Sequence, residues 1–200
     1  MFYNAGVSCK KVAIMTRHIL FDRRRPRHIL FFAAVPPPPF ATYVQQIWPI
    51  IGTGDRLRDR TLHMTILPVI GKDVVDPWLV RALTGALAGF SFPAFDITFD
   101  RLVAFKARKK RPIVLRTPEA NAPVDRLAQT VGRALKRVFP AFPKPGKVTP
   151  HVTLAYGAGF DGERLLPAPL GWHIRDIALI DSVQGEGRHI QLARWRLGSD

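Results

Sequence analysis

The chain is short of cysteine, of acidic residues and of long apolar runs, and each shortage removes a class of function. Cys9 is the only cysteine, so neither an internal disulfide nor a cysteine-rich zinc site can form, and a reducing, cytoplasmic location is expected. The longest apolar run, Ile29 to Val35, stops at Pro36-Pro37-Pro38-Pro39, far short of the roughly 18 residues a membrane helix needs. Residues 1–26 carry Lys10, Lys11, Arg17, Arg23, Arg24 and Arg25 but no apolar core followed by a small-residue cleavage site, which argues against a secretory signal. They are expected to be a basic N-terminal extension, with Met15 as an alternative start, ahead of one domain over residues 27–200. No carboxylate cluster and no pair of histidines four apart on a helix offers metal ligands, so neither a metal nor a cofactor is expected.

What the chain has in excess is positive charge. Thirty Lys and Arg against 15 Asp and Glu leave a formal +15 over 200 residues, spread along the chain, and such a surface attracts polyanions. Phosphate-bearing partners, RNA above all, follow from the counterion release that accompanies phosphate neutralisation.

Apolar periodicity gives a mixed architecture. Ile29 to Val35 reads as a strand buried on both faces. Phe40, Tyr43, Val44, Ile47 and Trp48 form one stripe of a helix that Pro49 is expected to end. Leu62 to Leu67 is a β-leaning run halted by Pro68. Asp76-Pro77 caps a helix carrying Leu79, Leu83 and Leu87. Phe95, Ile97 and Phe99 alternate with polar residues as a half-buried strand, and the basic run Lys106 to Arg111 forms a hairpin tip before Ile113-Val114-Leu115. Val124, Leu127, Ala128, Val131, Leu135 and Val138 define the clearest helical face. A proline- and lysine-rich loop, Phe142 to Pro150, leads into the β-leaning His151 to Tyr156. Ile174 to Val183 and Ile190 to Leu197 are two last strands, with a bulge expected between Leu192 and Trp195. The first-half order of strand, helix and His-x-Thr strand recurs in the second half, so the chain reads as two related lobes.

That doubling carries the chemistry. Residues two apart on a strand share a face, so His63 projects with Thr65, and His151 with Thr153. In-line displacement at phosphorus needs a base behind the entering oxygen and an acid beside the leaving one. Two opposed histidines meet that need near neutral pH, and two hydroxyls can hold the non-bridging oxygens. Lys106, Lys109 and Lys147 are candidate grips on a nucleic-acid backbone, and Tyr156 is a candidate stacking platform. His18, His28, His173 and His189 are read as structural histidines.

Leu62-His63-Met64-Thr65-Ile66 and Pro150-His151-Val152-Thr153-Leu154-Ala155, with Arg27-His28-Ile29-Leu30-Phe31-Phe32-Ala33 as opening strand, resemble the two-histidine (2H) phosphoesterase superfamily. Within it they are similar to the LigT-like RNA 2′,3′-cyclic phosphodiesterases, also called 2′-5′ RNA ligases. The resemblance implies a bilobal α+β fold: two pseudo-symmetric antiparallel sheets, helices outside, and a central cleft holding both motifs. It implies hydrolysis of a 2′,3′-cyclic phosphate to a 2′-phosphate without metal, reversible 2′-5′ ligation in some members, and an RNA or nucleotide end as partner for a monomeric enzyme. His151 would then activate water, His63 protonate the departing 3′ oxygen, and Thr65 and Thr153 hold phosphate. Two positions depart from the pattern: Tyr156 stands where relatives often have arginine, and Leu67 to Gly71 replaces a phenylalanine-leucine-glycine. Two other readings share these features, a non-catalytic RNA- or nucleotide-binding module and an enzyme for a non-RNA cyclic phosphate such as an ADP-ribose derivative.

Overall fold

The computed structural model describes residues 27–51, 54–107, 111–118, 122–157 and 159–198; the N-terminal extension and Lys109 lie outside them. Eight strands pair antiparallel in one sheet of order β6-β3-β4-β5-β2-β1-β7-β8. One half holds β1 (His28–Ala34), β2 (Met64–Lys72), β7 (Asp176–Val183) and β8 (Arg188–Arg196). The other holds β3 (Phe95–Ala104), β4 (Arg111–Arg116), β5 (His151–Gly157) and β6 (Glu163–Ile174). The α+β, antiparallel character matches expectation, and the two lobes expected from the doubling correspond to halves of a single sheet. They meet at one residue pair, Met64 with Val152.

Helices α1 (Pro38–Ile51), α2 (Pro77–Ala86) and α3 (Ala122–Val138) supply Phe40, Val44, Leu79, Leu83, Leu127 and Val131 to the main core. Leu30, Phe32, Met64, Leu115 and Val152 meet them from the sheet. Phe31 and Ala33, the intervening residues of β1, face the other way and form a small separate cluster with Ala178 and Ile180. Burial on both faces is why this strand reads as an unbroken apolar run.

Three proline-bearing segments depart from the sequence reading. Helix α1 passes through Pro49 and ends at Ile51, because the side chain of Ile51 is buried and its carbonyl accepts a hydrogen bond from Arg164 at 3.2 Å. Strand β2 passes through Pro68 to Lys72. Pro68 pairs with Phe31 between two register shifts against β1 and has no partner in β5, an irregular stretch of ladder of the kind that tolerates proline. Strand β6 contains Pro167 and Pro169 and has no counterpart in the sequence reading; it is the sheet's outermost strand beside β3, the position where prolines are tolerated. The expected bulge in β8 is present: Leu179 pairs with Ala193 and Ile180 with Gln191, which leaves Leu192 unpaired.

Candidate active site

The site is built on the seam between the two halves. Met64 and Val152 are fully buried and point into the helix-covered core, so their neighbours project from the open face of the sheet. Continuing the antiparallel register by one residue sets His63 across from Thr153 and Thr65 across from His151. The two histidines are then diagonal neighbours, roughly 7–8 Å apart at Cα and closer at Cβ, a spacing that allows both rings to flank one phosphate group. Beside them, Thr65 pairs with Ala33, and Thr153 with Val114.

Both imidazoles are fixed in the same way. His63 Nδ1 lies 2.8 Å from the carbonyl oxygen of Thr61, and His151 Nδ1 lies 2.7 Å from that of Thr149. A carbonyl only accepts, so each Nδ1 carries the proton and donates it, which leaves Nε2 as the exchangeable position. Each ring also rests on a phenylalanine: Phe31 lies 4.9 Å from His63 and Phe105 lies 5.0 Å from His151, centroid to centroid. The doubling visible in the sequence therefore extends to how each histidine is held.

A third histidine enters the site, contrary to its reading as a merely structural residue. The His189 ring lies 4.8 Å from that of His63 in a T-shaped arrangement and 5.7 Å from Phe31. Burial first, and then the charges of His63 and Arg58, push its pKa down to about 4. His63 is also held below the ordinary imidazole range. Burial is the main cause; the bond to the Thr61 carbonyl opposes it, and the charges of Arg58 and His151 reinforce it. Elsewhere the structural reading fits: His28 bonds the buried Asp181 at 2.9 Å, and His173 bonds Asp96 at 2.7 Å.

Tyr156 also reaches this face, by a device that strand parity hides. The β4–β5 register passes from Ile113–Ala155 to Val114–Thr153, leaving Leu154 as an extra residue. Leu154 and Ala155 both turn to the core, and Tyr156 emerges, 45% exposed, beside His151 and Thr153. The guanidinium carbon of Arg58 sits 4.9 Å from the centre of its ring. Arg58 belongs to the charged segment that the sequence offers only as loop; its backbone N–H bonds the Leu154 carbonyl at 2.7 Å.

At the opposite end of the seam, where β2 and β5 part, lies a cavity of about 370 Å³ lined by Thr65, Pro68, Phe142, Lys144, Lys147 and His151. The loop forming its wall is ordered. Asp125 accepts the N–H of Val148 at 2.7 Å, and Pro145 packs so closely on α3 that a Cβ on Gly132 would overlap its ring. Lys147 thus lines a cavity shared with His151. Lys106 is exposed, one residue beyond Phe105. Among the described residues, no group of three or more His, Cys, Asp or Glu could hold a metal ion, and no helix is long and apolar enough to cross a membrane.

The family model for the 2′-5′ RNA ligase superfamily matches residues 36–186, well over half of the chain, and the protein belongs to that superfamily. Several solved structures share the fold. One described as a phosphoesterase is 20% identical with a TM-score of 0.67, the match covering 86% of this chain and 99% of that one. E. coli LigT complexed with 3′-AMP is 19% identical with a TM-score of 0.67, covering 86% and 99%. TT0787 of Thermus thermophilus is 16% identical with a TM-score of 0.66, again covering 86% and 99%. No curated protein matches the sequence.

Proposed function

We propose that the protein is an RNA 2′,3′-cyclic phosphodiesterase that opens the cyclic phosphate to a 2′-phosphate and a free 3′-hydroxyl. One observation carries the reading. Two imidazoles, each with Nδ1 tied to the carbonyl two residues upstream, stand diagonally across the β2–β5 seam with a threonine beside each. His151 Nε2 takes a proton from water as the water oxygen bonds to phosphorus. The P–O3′ bond breaks on the far side, and His63 donates a proton to the departing oxygen. Thr65 and Thr153 hold the non-bridging oxygens. A 5′-hydroxyl in place of water would form a 2′-5′ linkage by the same steps, as the superfamily name suggests. The 3′-AMP and phosphate complexes of E. coli LigT support a nucleotide-phosphate ligand for this cleft.

The acid role has an electrostatic condition. Burial, first, and the nearby positive charges disfavour the imidazolium form of His63. An anionic phosphate between the rings reverses that field and allows His63 to be protonated when a substrate is bound. The test is incubation with a nucleoside 2′,3′-cyclic phosphate and identification of the product end. Exclusive 2′-phosphate, formed at an undiminished rate in EDTA, is the expected result. An unconsumed cyclic phosphate, bound or unbound, would refute the assignment and favour a recognition module.

A further inference from the structure

Arg58 is the charged residue at the seam that acid–base chemistry leaves without a task. It follows Gly54-Asp55-Arg56-Leu57 and precedes the short 3-10 turn Asp59–Thr61, whose last carbonyl holds His63. Its own backbone N–H is bonded to Leu154, the extra residue of β5. This segment is therefore fastened at one end to the first motif and at the other to the second. The side chain lies over Tyr156, and among the described residues its buried Nε has no hydrogen-bond partner. A buried guanidinium donor left unsatisfied is costly, so its persistence points to an acceptor that arrives from outside. Arg58 also lines a cavity of about 340 Å³ in which Arg56 and Arg60 stand with the carboxylates of Asp59 and Glu186.

We propose that Arg58 grips the non-bridging oxygens of the phosphate that His63 and His151 flank, with the Tyr156 ring as the platform that aims it. This rests on reading the cleft as a phosphoester site and adds the residue that recognises the anion. The planar fork of arginine suits two phosphate oxygens at once, and the aromatic face below restricts it to one plane without neutralising it. The guanidinium lies over the ring of Tyr156, on the face that carries His151 and Thr153, and the same charge acts on His63 and His189. Arg58 disfavours protonated His63; a phosphate held between them screens one from the other. Arg58 would thus be a phosphate-binding residue, and Tyr156 a positioning residue acting through it.

The test uses inorganic phosphate as probe, so that it does not depend on cyclic phosphate being the substrate. Phosphate binding to the full-length protein is followed by the NMR shift of the His63 ring, in the wild type and in Arg58→Gln and Arg58→Lys. Phosphate should bind at least about tenfold more weakly to Arg58→Gln, with Arg58→Lys in between. Equal affinity in wild type and Arg58→Gln, or no effect of phosphate on His63 in the wild type, overturns the proposal. A purely structural role predicts a lowered melting temperature with unchanged phosphate affinity. If Arg58→Gln does not fold, Arg58→Lys decides: a several-fold loss supports the proposal and an unchanged affinity overturns it. A wild type that binds phosphate through Arg58 but leaves cyclic nucleotides intact refutes the substrate assignment alone.

Discussion

Residues two apart on a strand point the same way, which puts His63 beside Thr65 and His151 beside Thr153 on one face. Arg58 and His189 join that face by routes the sequence does not show. One lies in a loop, and the other reaches His63 only because the sheet order places β8 beside β7 and β7 beside β1, a fact that no local pattern encodes. His189 has a thermodynamic consequence of its own. Its folded-state pKa of about 4 lies below the ordinary 6.5, so between those pH values the unfolded chain binds a proton that the folded chain refuses. Stability is fully present above pH 6.5 and is lost as pH falls toward 4. His63, shifted in the same direction, adds to the loss. Urea midpoints at pH 7 and pH 5 should therefore differ, and His189→Gln should narrow the difference; an unchanged difference contradicts the burial argument.

Helix α2 follows from its cap and α3 from its apolar stripe: Asp76 accepts the N–H of Trp78 at 2.8 Å, and Val124, Leu127, Ala128, Val131 and Leu135 are buried, whereas Val138, expected on the same face, is exposed in the last turn. Three of the elements that depart from local patterning, α1, β2 and β6, contain proline. A local reading treats proline as a stop, whereas an outer strand or an irregular stretch of ladder tolerates it. The loop 142–150 shows how an element shapes the cleft. Gly132 admits Pro145 against α3, and the loop then walls the cavity next to His151. Gly132→Val should push the loop outward at Pro145 and raise KM for a cyclic-ended oligonucleotide several-fold, with a smaller loss of kcat as long as Thr149, four residues further along the loop, keeps its bond to His151. Steady-state kinetics will show whether the two parameters separate; equal loss in both would mean that the loop also positions the reacting groups. Gly157→Ala tests the other end. A Cβ there would overlap the Asp55 carboxylate, displacing the segment that carries Arg58, and weaker phosphate binding is the expected outcome.

The molecule as a whole is a polycation, with formal charge +15, in which a two-fold repeat of strand, helix and strand meets at one residue pair. The mixed α+β architecture was readable from periodicity; the continuity of the sheet, in place of two separate ones, was not, since a single bridge leaves no trace in composition. The charge makes a separate prediction. An oligonucleotide with a cyclic end should lose kcat/KM with added salt more steeply than a mononucleoside cyclic phosphate, because only the longer substrate releases counterions along its backbone. Identical salt slopes would mean that the surface charge serves something other than the substrate.

The proposed activity requires two imidazoles from distant segments to act on one phosphorus atom as a unit. Turnover of a nucleoside 2′,3′-cyclic phosphate by His63→Ala, His151→Ala and the double variant is the decisive comparison. If the pair works in concert, each single change costs about 10²–10⁴-fold, and the double variant is scarcely worse than either. Losses that multiply in the double variant, or full activity in one single variant, would show that the two rings do not share a reaction.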